Sequence, residues 1–227
     1  MKVLVVAAHP DDEVLGCGGT IARHSDQGDE VAIVILAEGA TSRASQRDRT
    51  AMSADLDRLG SAAQRAGAIL GASVTLHDFP DNRMDSVDLL DVVKRIEAVI
   101  ETFRPDTVYT HHAGDVNIDH RIVHQAVVTA CRPMPGQCVR TLLFFEVASS
   151  TEWQPPGTAP AFQPNWFVPI ETTLGRKIQA LQAYAEEMRA FPHARSVEAV
   201  EHLARWRGAG VGAAAAEAFM LGRRLTE

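Results

Sequence analysis

The sequence predicts an α/β fold of the Rossmann-like type, a three-layer αβα sandwich built on a mainly parallel sheet. Short segments rich in Val, Ile, Leu and Phe alternate with helical patterns over the first two thirds of the chain. Strict alternation of strand and helix implies right-handed crossovers. Such crossovers produce a parallel sheet that is covered by helices on both faces.

Five short apolar segments with polar or turn residues at both ends are predicted to be strands. Four helical patterns lie between and after them. The third pattern is the clearest, because its apolar side chains between Leu89 and Ile100 recur on one helical face. The predicted strands are 2–8, 30–36, 74–76, 107–111 and 141–147, and the predicted helices are 19–27, 47–70, 87–103 and 120–131.

The last third of the chain has a different composition. Prolines and aromatic residues concentrate in 149–169, which is typical of an irregular loop or edge segment that either packs on the surface or walls a pocket. Helices are predicted at 172–190 and over the alanine-rich segment 211–224. A further helix is predicted to begin after Ser196, which would be its N-cap. Glu217, in the last of these helices, is expected to face the substrate pocket. We therefore predict one domain, 1–227, with a Rossmann-like core, 1–148, and an extension, 149–227, of aromatic and proline-rich loop and C-terminal helices.

The composition also limits the kind of partner. With 227 residues, 46% of them hydrophobic, the chain can bury a core without disulfides. A net charge of −7 with interspersed signs disfavours nucleic acid and anionic membranes as partners. The expected partner is a small molecule, and the oligomeric state, a homo-oligomer included, stays open.

The cysteines and the N-terminus favour a reduced, cytoplasmic protein. Cys17, Cys131 and Cys138 form no Cys-x-x-Cys pair. No stretch approaches the ~18 apolar residues of a membrane span, and the first residues lack the basic and apolar regions of an export signal. Neither a membrane span nor export is expected.

The first predicted strand ends in a run of polar side chains. His9-Pro10-Asp11-Asp12-Glu13 directly follows the apolar segment 3–8. Open α/β sheets bind their ligands outside the carboxyl ends of the strands, which is where this run lies. Imidazole and carboxylate suit a borderline divalent metal, and the remaining carboxylates suit proton transfer.

A second polar cluster follows the strand predicted at 107–111. It comprises His111, His112, Asp115, Asn117, Asp119 and His120. Because both clusters follow parallel strands, we expect them to meet at one edge of the sheet. His9, Asp12 and one histidine of the second cluster would then supply three ligands and leave a fourth position open, as catalytic zinc requires.

The two clusters together resemble the PIG-L/LmbE family of zinc-dependent deacetylases. The resemblance rests on Ala8-His9-Pro10-Asp11-Asp12-Glu13, on Gly16-x-Gly18-Gly19-Thr20 and on Asp115-x-Asn117-x-Asp119-His120. It implies removal of the N-acetyl group, most often from N-acetylglucosamine units of small glycoconjugates. It also implies that His9, Asp12 and His120 bind the zinc and that Asp11 is the general base. Fe²⁺, Mn²⁺ or Co²⁺ could occupy the same ligands.

The second motif departs from the family pattern at Asn117. Many members have a histidine there that assists the oxyanion or the leaving group, whereas an asparagine can donate a hydrogen bond but cannot titrate. Either Asp11 moves the proton in both directions, or another histidine substitutes. The candidates for such a substitute are His111, His112 and His193. Asp119 is expected to orient a histidine by accepting its ring N–H.

Loops after the second and third predicted strands should open toward the same edge as the metal. Arg43 lies in the first of these loops, and Asp81 and Arg83 lie in the second. A carboxylate can accept hydrogen bonds from sugar hydroxyls, and arginines suit a phosphate or carboxylate. Asp115 and His193 complete the expected substrate contacts.

Two alternatives stay open. A non-catalytic regulator would bind metal and sugar but release no acetate. A nucleotide-dependent oxidoreductase would use Gly16, Gly18 and Gly19, although its fingerprint places G-x-G-x-x-G directly after the first strand. We instead expect these glycines to let the backbone approach the metal loop or the substrate closely.

Overall fold

A central sheet organises the computed structural model, which describes residues 1–226. Its strands are β1 (Lys2–Ala7), β2 (Glu30–Ala37), β3 (Ser73–Phe79), β4 (Thr107–His111), β5 (Thr141–Phe145), β6 (Trp166–Pro169) and β7 (Ala216–Arg224). The helices are α1 (Asp12–Asp26), α2 (Ser53–Leu70), α3 (Leu89–Phe103), α4 (Ile118–Ala130), α5 (Leu174–Ala183) and α6 (Val197–Ala209). In space the strands follow the order β3-β2-β1-β4-β5-β7-β6.

Helices cover both faces of the sheet, and the alternation of β1 explains why. Val3 and Val5 pack in the core with residues of α1, α2 and α5. Leu4 and Val6 pack in the opposite core with residues of α3 and α4. Strands β1 to β5 run parallel to their neighbours among these five. The predicted Rossmann-like three-layer sandwich with a mainly parallel sheet is confirmed.

The prediction of a helix over 211–224 is wrong, because Ala216–Arg224 forms β7. This strand pairs antiparallel with β5 on one side and with β6 on the other. Ala216, Ala218 and Phe219 are buried, so small side chains here fit a strand that is covered on both faces. Pairing within the sheet outweighs the helix preference of alanine. The extension therefore completes the sheet of the core.

The expectation that Glu217 faces a pocket is also wrong. Its buried carboxylate lies in β7, where Oε1 is 2.5 Å from Nζ of Lys177. It also accepts backbone N–H groups of Gly19 and Thr20 at 3.0 and 2.7 Å. These contacts satisfy a buried charge and join β7 to α1 and α5.

The glycines of the first motif lie inside α1, which begins at Asp12 rather than at 19. A Cβ on Gly16 would lie 2.4 Å from the ring of Phe145, and a Cβ on Gly19 would lie 2.7 Å from Ile170. These glycines therefore let α1 pack closely on β5 and on the segment after β6. The expectation that they approach the metal loop or the substrate is wrong, and they form no phosphate-binding turn.

The segment 149–169 combines an irregular loop with the edge strand β6, as its prolines predict. The helix predicted at 172–190 is shorter, because α5 ends at Ala183 and the following residues turn back toward the first motif. The N-cap of α6 is confirmed, since Oγ of Ser196 accepts the N–H of Ala199 at 3.0 Å. Among residues 1–226, no helix has the length and apolarity needed to cross a membrane.

Candidate metal centre and active site

The candidate site lies where the strand order of the sheet changes direction. β1 pairs with β2 on one side and with β4 on the other, so the carboxyl ends of β1 and β4 are adjacent. The N–H of Ala8, at the end of β1, donates to Nε2 of His111, at the end of β4, at 2.8 Å. The two polar clusters therefore meet, at the switch point where doubly wound sheets bind ligands.

Three side chains converge around one carboxylate oxygen. Oδ2 of Asp12 lies 3.2 Å from Nδ1 of His9 and 3.1 Å from Nε2 of His120. The backbone N–H of His9 also donates to this oxygen, at 2.8 Å, which fixes the turn between β1 and α1. These three residues form a group whose ligand atoms all lie within 4.8 Å of one another.

Each of the two histidines has a second carboxylate at its other ring nitrogen. Nε2 of His9 lies 3.0 Å from Oδ2 of Asp119, and Nδ1 of His120 lies 3.1 Å from Oδ2 of Asp115. Such pairs fix the tautomer and the orientation of a histidine that binds a metal. Asp119 thus accepts from the ring of His9, the histidine of the first motif, although it neighbours His120 in the sequence.

The histidines and carboxylates of the site shift one another's pKa values, each toward its charged form. Burial lowers the pKa of His120, but the carboxylates of Asp12 and Asp115 outweigh it and raise the pKa to about 9. Burial likewise lowers the pKa of His9, and hydrogen bonds with Asp119 and Asp12 raise it well above its usual value. Burial raises the pKa of the Asp12 carboxyl, but His120 and His9 hold it well below its usual range. The pocket therefore stabilises positive charge between these carboxylates.

The donor set fits a divalent metal. Two imidazole nitrogens and one carboxylate oxygen are the ligands that zinc and related ions take in catalytic sites. A second group, His9 with Asp81 and Asp119, shares its histidine with the first group. Both carboxylate oxygens of Asp81 and both of Asp119 already accept N–H groups of neighbouring residues, so we regard this group as support for the first.

Asp11 lies next to the donors in an unusual backbone conformation. Its φ of 102° falls in the left-handed region, which is costly for a residue other than glycine. Oε2 of Glu13 accepts the N–H of Asp11 at 3.0 Å, and Oε1 of Glu13 accepts the hydroxyl of Tyr184 at 2.7 Å. Glu13 therefore supports the turn and connects it to the end of α5.

The Asp11 carboxylate has one engaged oxygen and one free oxygen. Oδ2 lies 3.1 Å from Nη1 of Arg195, whose Nε donates to Oγ of Ser149 at 3.0 Å. Oδ1 is buried and has no hydrogen-bond partner among the described residues. Burial raises the pKa of Asp11 to about 7, against the opposing effect of Arg195. Such a carboxylate is suited to accept a proton near neutral pH.

Side chains of the loop after β5 donate hydrogen bonds to the carboxylate of Asp115. Oγ1 of Thr151 donates to Oδ2 of Asp115 at 2.7 Å, and Oγ of Ser150 donates to its Oδ1. The N–H of Asn117 donates to the same Oδ1 at 2.8 Å. These donors fix the Asp115 carboxylate, which in turn orients the ring of His120. We had predicted that Asp115 contacts the substrate.

Asn117 is the N-cap of α4. Its Oδ1 accepts the N–H of Asp119 at 2.8 Å, and its Nδ2 donates to Oδ1 of Asn82 at 2.8 Å. Asn82, with a φ of 52°, also donates its backbone N–H to Oδ2 of Asp119 at 2.7 Å. The side chain predicted to assist catalysis thus has a structural role as well, because it starts the helix that contains Asp119 and His120.

The remaining predicted substrate residues make varied contacts in the loops after β2 and β3. Arg43, 48% exposed, pairs with Glu187 at 2.5 Å. Asp81 is buried and accepts the N–H of Ser42 at 2.9 Å. Nη2 of Arg83 donates to main-chain carbonyls of residues 44 and 45 at 3.4 and 3.2 Å. Asp81 and Arg83 hold the loop after β2 against the loop after β3, whereas Arg43 joins the loop after β2 to the segment after α5.

His193 lies in the loop before α6. Its Nδ1 accepts the N–H of Arg195 at 3.0 Å, so the proton of its neutral ring lies on Nε2. Its ring lies 5.7 Å from that of Trp153. His193 therefore lies two residues before Arg195, which contacts Asp11, and its contact with the substrate stays a prediction.

Some contacts of the site could hardly be predicted from the sequence. Ser150 and Thr151 follow β5, so the rule that ligands bind at carboxyl ends of strands could have indicated them if applied to this strand. Arg195 lies in a basic, aromatic loop, but no local pattern relates it to Asp11. Asn82 gave no signal, because its contact with Asp119 depends on the packing of two distant loops.

The fold and the site define an α/β protein with a histidine and carboxylate centre at the switch point of its sheet. The sequence profile of the family described as PIG-L, GlcNAc-PI de-N-acetylase, matches residues 4–131, which contain both motifs. The chain belongs to this family.

Several proteins whose names state an activity are similar to this chain over more than half of its length. The uncharacterized deacetylase YaiS of Escherichia coli K12 is 34% identical over 139 residues, 59% of this chain and 69% of that protein. The 1D-myo-inositol 2-acetamido-2-deoxy-alpha-D-glucopyranoside deacetylase of Rhodococcus erythropolis PR4 is 27% identical over 247 residues, 84% and 82% of the two chains. The crystal structure of GalB, the 4-carboxy-2-hydroxymuconate hydratase of Pseudomonas putida KT2440, is 26% identical with a TM-score of 0.76, covering 100% and 98%.

Proposed function

We propose that this protein is a zinc-dependent hydrolase that removes the N-acetyl group from an N-acetylglucosamine-type sugar or a small conjugate of it. The observation that carries the proposal is the buried Asp11 carboxylate, whose Oδ1 is free, beside the converging donors His9, Asp12 and His120. Membership of a family described as a de-N-acetylase supports the choice of reaction. The small-molecule deacetylase from Rhodococcus supports the choice of substrate class.

His9, Asp12 and His120 would hold the metal. A divalent metal bound there would polarise the acetamide carbonyl and lower the pKa of the attacking water. We propose Zn²⁺ because two histidines and one carboxylate are a common ligand set of catalytic zinc, and Fe²⁺, Mn²⁺ and Co²⁺ are the alternatives. Asp119 and Asp115 keep the two imidazoles oriented.

Asp11 performs the proton transfers in this proposal. Its free Oδ1 accepts a proton from the water that attacks the acetamide carbon. The same carboxyl then gives the proton to the leaving nitrogen, so that the C–N bond breaks to yield acetate and an amine. Arg195 holds Oδ2 throughout, which keeps Oδ1 directed at the reacting atoms.

The residues around the centre would bind the sugar. His193 can donate from Nε2 to a substrate oxygen, and the second amide hydrogen of Asn117 has no partner among the described residues. Arg43, Asp81 and Arg83 shape the opposite wall and offer further donors and acceptors to hydroxyl groups. The whole chain acts as one domain in this proposal, because β7 of the extension pairs with β5 of the core.

A cytoplasmic location is part of the same proposal. Its support is that Cys17, Cys131 and Cys138 are all free thiols. A small neutral substrate is consistent with the net charge of −7, and no nucleic acid is expected as a partner.

Hydration of a carbon–carbon double bond is a second candidate function. It is favoured by the likeness to the Pseudomonas hydratase over the whole chain. The same centre would deliver water to a carboxylate-bearing alkene, and Asp11 would again accept a proton. A hydratase would release neither acetate nor amine.

The test is an activity screen on the metal-loaded protein. N-acetylhexosamines, their phosphates, nucleotide sugars and glycosides are assayed for acetate and free amine, and unsaturated dicarboxylates are assayed for loss of absorbance. We expect equimolar acetate and amine from at least one sugar, abolished by a chelator and restored by Zn²⁺. Hydration with no amine release would select the second candidate. Metal and sugar binding without turnover would select the non-catalytic regulator.

A further inference from the structure

Two buried side chains in series hold the backbone of Asp11. Oε2 of Glu13 accepts the N–H of Asp11 at 3.0 Å, and Oε1 of Glu13 accepts the hydroxyl of Tyr184 at 2.7 Å. Both Glu13 and Tyr184 are buried. No cation pairs with Glu13 within residues 1–226, so its carboxyl group depends on neutral donors such as the Tyr184 hydroxyl.

Asp11 is the N-cap residue of α1, but its carboxylate makes no capping hydrogen bond to the described residues of the first turn. An aspartate at an N-cap ordinarily has an extended backbone, and its carboxylate accepts an N–H of that turn. Asp11 instead has a φ of 102°, and its Oδ1 has no partner among the described residues. The unusual backbone therefore goes together with an uncommitted carboxylate oxygen.

The ordinary capping conformation is the alternative for Asp11. In that conformation the carboxylate turns to the N–H groups at the start of α1, and its free oxygen is lost. A capping box satisfies the N–H of the N-cap residue from a glutamate three positions further on, whereas Glu13 lies only two positions after Asp11. The hydrogen bond from Asp11 to Glu13 thus belongs to the left-handed turn and stabilises it against the ordinary cap.

Tyr184 comes from the same segment of the chain as Arg195. It lies at the end of α5, and the N–H of Arg189 donates to the carbonyl of Arg195 at 3.1 Å, which closes this segment into a loop. Arg195 contacts the carboxylate of Asp11, and Tyr184 reaches the Asp11 backbone through Glu13. One loop of the extension therefore holds both the side chain and the main chain of Asp11.

We propose that Tyr184 is a positioning residue for the proton transfer. Its hydroxyl fixes Glu13, and Glu13 fixes Asp11 in the conformation that leaves Oδ1 free. The inference rests on the proposed function, in which Asp11 accepts the proton and returns it. Because Tyr184 is buried and bonds to Glu13, loss of its hydroxyl slows the chemical step and leaves the binding of substrate and metal intact.

The first test removes the Tyr184 hydroxyl and keeps the ring, as Tyr184→Phe. Tyr109→Phe is the matched control, because Tyr109 is also buried and its hydroxyl bonds to Nε2 of His24, in the last turn of α1. Both variants lose one buried hydrogen bond, so we expect similar decreases in Tm. We expect Tyr184→Phe to lower kcat by about tenfold with KM and metal content unchanged, and Tyr109→Phe to keep the wild-type kcat.

Two further measurements test the route through Glu13. If Tyr184 acts through Glu13, the double variant Tyr184→Phe, Glu13→Gln should be slower than Glu13→Gln alone by less than about twofold. Hydrogen exchange at the Asp11 N–H, followed by NMR, needs no substrate. We expect this exchange to be faster in Tyr184→Phe than in Tyr109→Phe or the unmodified protein.

The outcomes separate this inference from the proposed reaction. Wild-type kcat in Tyr184→Phe, or equal losses of kcat in the two phenylalanine variants, would overturn the positioning role. Multiplicative losses in the double variant would overturn the route through Glu13. Faster exchange at Asp11 in Tyr184→Phe, in a protein whose unmodified form releases acetate from no sugar, would support the positioning of Asp11 and overturn the proposed deacetylation.

Discussion

Nη1 of Arg195 lies 3.1 Å from Oδ2 of Asp11, although 184 positions separate the two residues in the sequence. This contact joins the loop before α6 to the turn after β1. It occupies one carboxylate oxygen, and the other has no hydrogen-bond partner within residues 1–226. The last third of the chain thus completes a site whose recognisable motifs lie in the first 120 residues.

Replacing Arg195 should impair turnover without removing the metal. We expect Arg195→Gln to lower kcat by about tenfold or more, because Asp11 loses the contact that orients its free oxygen. Metal content, measured by elemental analysis, should stay at the wild-type level, since His9, Asp12 and His120 are unchanged. The matched control is Arg205→Gln, because Arg205 is exposed and pairs only with Glu201 among the described residues. Wild-type kcat in Arg195→Gln would contradict the positioning role.

Asn117 should affect stability and turnover through different atoms. Asn117→Ala removes the N-cap of α4, which costs about 1 kcal/mol and lowers Tm by roughly 2–4 °C in a domain of this size. Asn117→Ser keeps a cap oxygen but loses the amide donor. We expect calorimetry to show Tm restored in the serine variant, and kinetic assays to show turnover reduced in both variants with metal retained. Full turnover in both would exclude catalytic assistance by position 117.

Local motifs predicted the metal donors because each motif lies between the carboxyl end of a parallel strand and the first turn of the following helix. The rule that such ends meet at one edge was sufficient to bring together His9, Asp12 and one histidine of the second cluster, and the family resemblance selected His120 among those histidines. It could not assign the partner of Asp119, because Asp119 is adjacent to His120 in the sequence but bonds to His9 across the site. Arg195 lies far from both motifs in the sequence, and no local pattern relates it to Asp11. Its contact depends on how α5 and α6 dock.

The order of strands and helices was predictable over the first two thirds, where apolar runs of β1 to β5 are distinct. The misassigned segment was β7. Its alternation of Ala216, Glu217 and Ala218 contains small residues and a charge, and neither indicates a central strand. Only the surrounding structure explains it, since Lys177 neutralises the buried Glu217 and β5 and β6 provide the pairing.

Metal affinity should rise with pH. The pKa of His120 is raised to about 9 and that of His9 is also raised, so both rings must lose protons before they bind a cation. Between about pH 6 and pH 8 the apparent affinity for Zn²⁺ should increase by about tenfold per pH unit for each proton released. Calorimetry in two buffers of different ionisation enthalpy would count these protons.

Asp115→Asn serves as the control for this dependence. The carboxylate of Asp115 helps to raise the pKa of His120, so its removal should lower that pKa and flatten the rise of affinity with pH. An affinity for Zn²⁺ that does not change between about pH 6 and pH 8 in the unmodified protein would contradict binding by His9 and His120.

The central claim is that Asp11 moves the proton while His9, Asp12 and His120 hold the metal. The most direct measurement is the rate of acetate release by Asp11→Asn protein that contains one equivalent of metal. The substituted amide preserves shape but cannot accept the proton, so we expect kcat to fall by about 10²-fold or more with metal content unchanged. Acetate release at the wild-type rate by this variant would contradict the account.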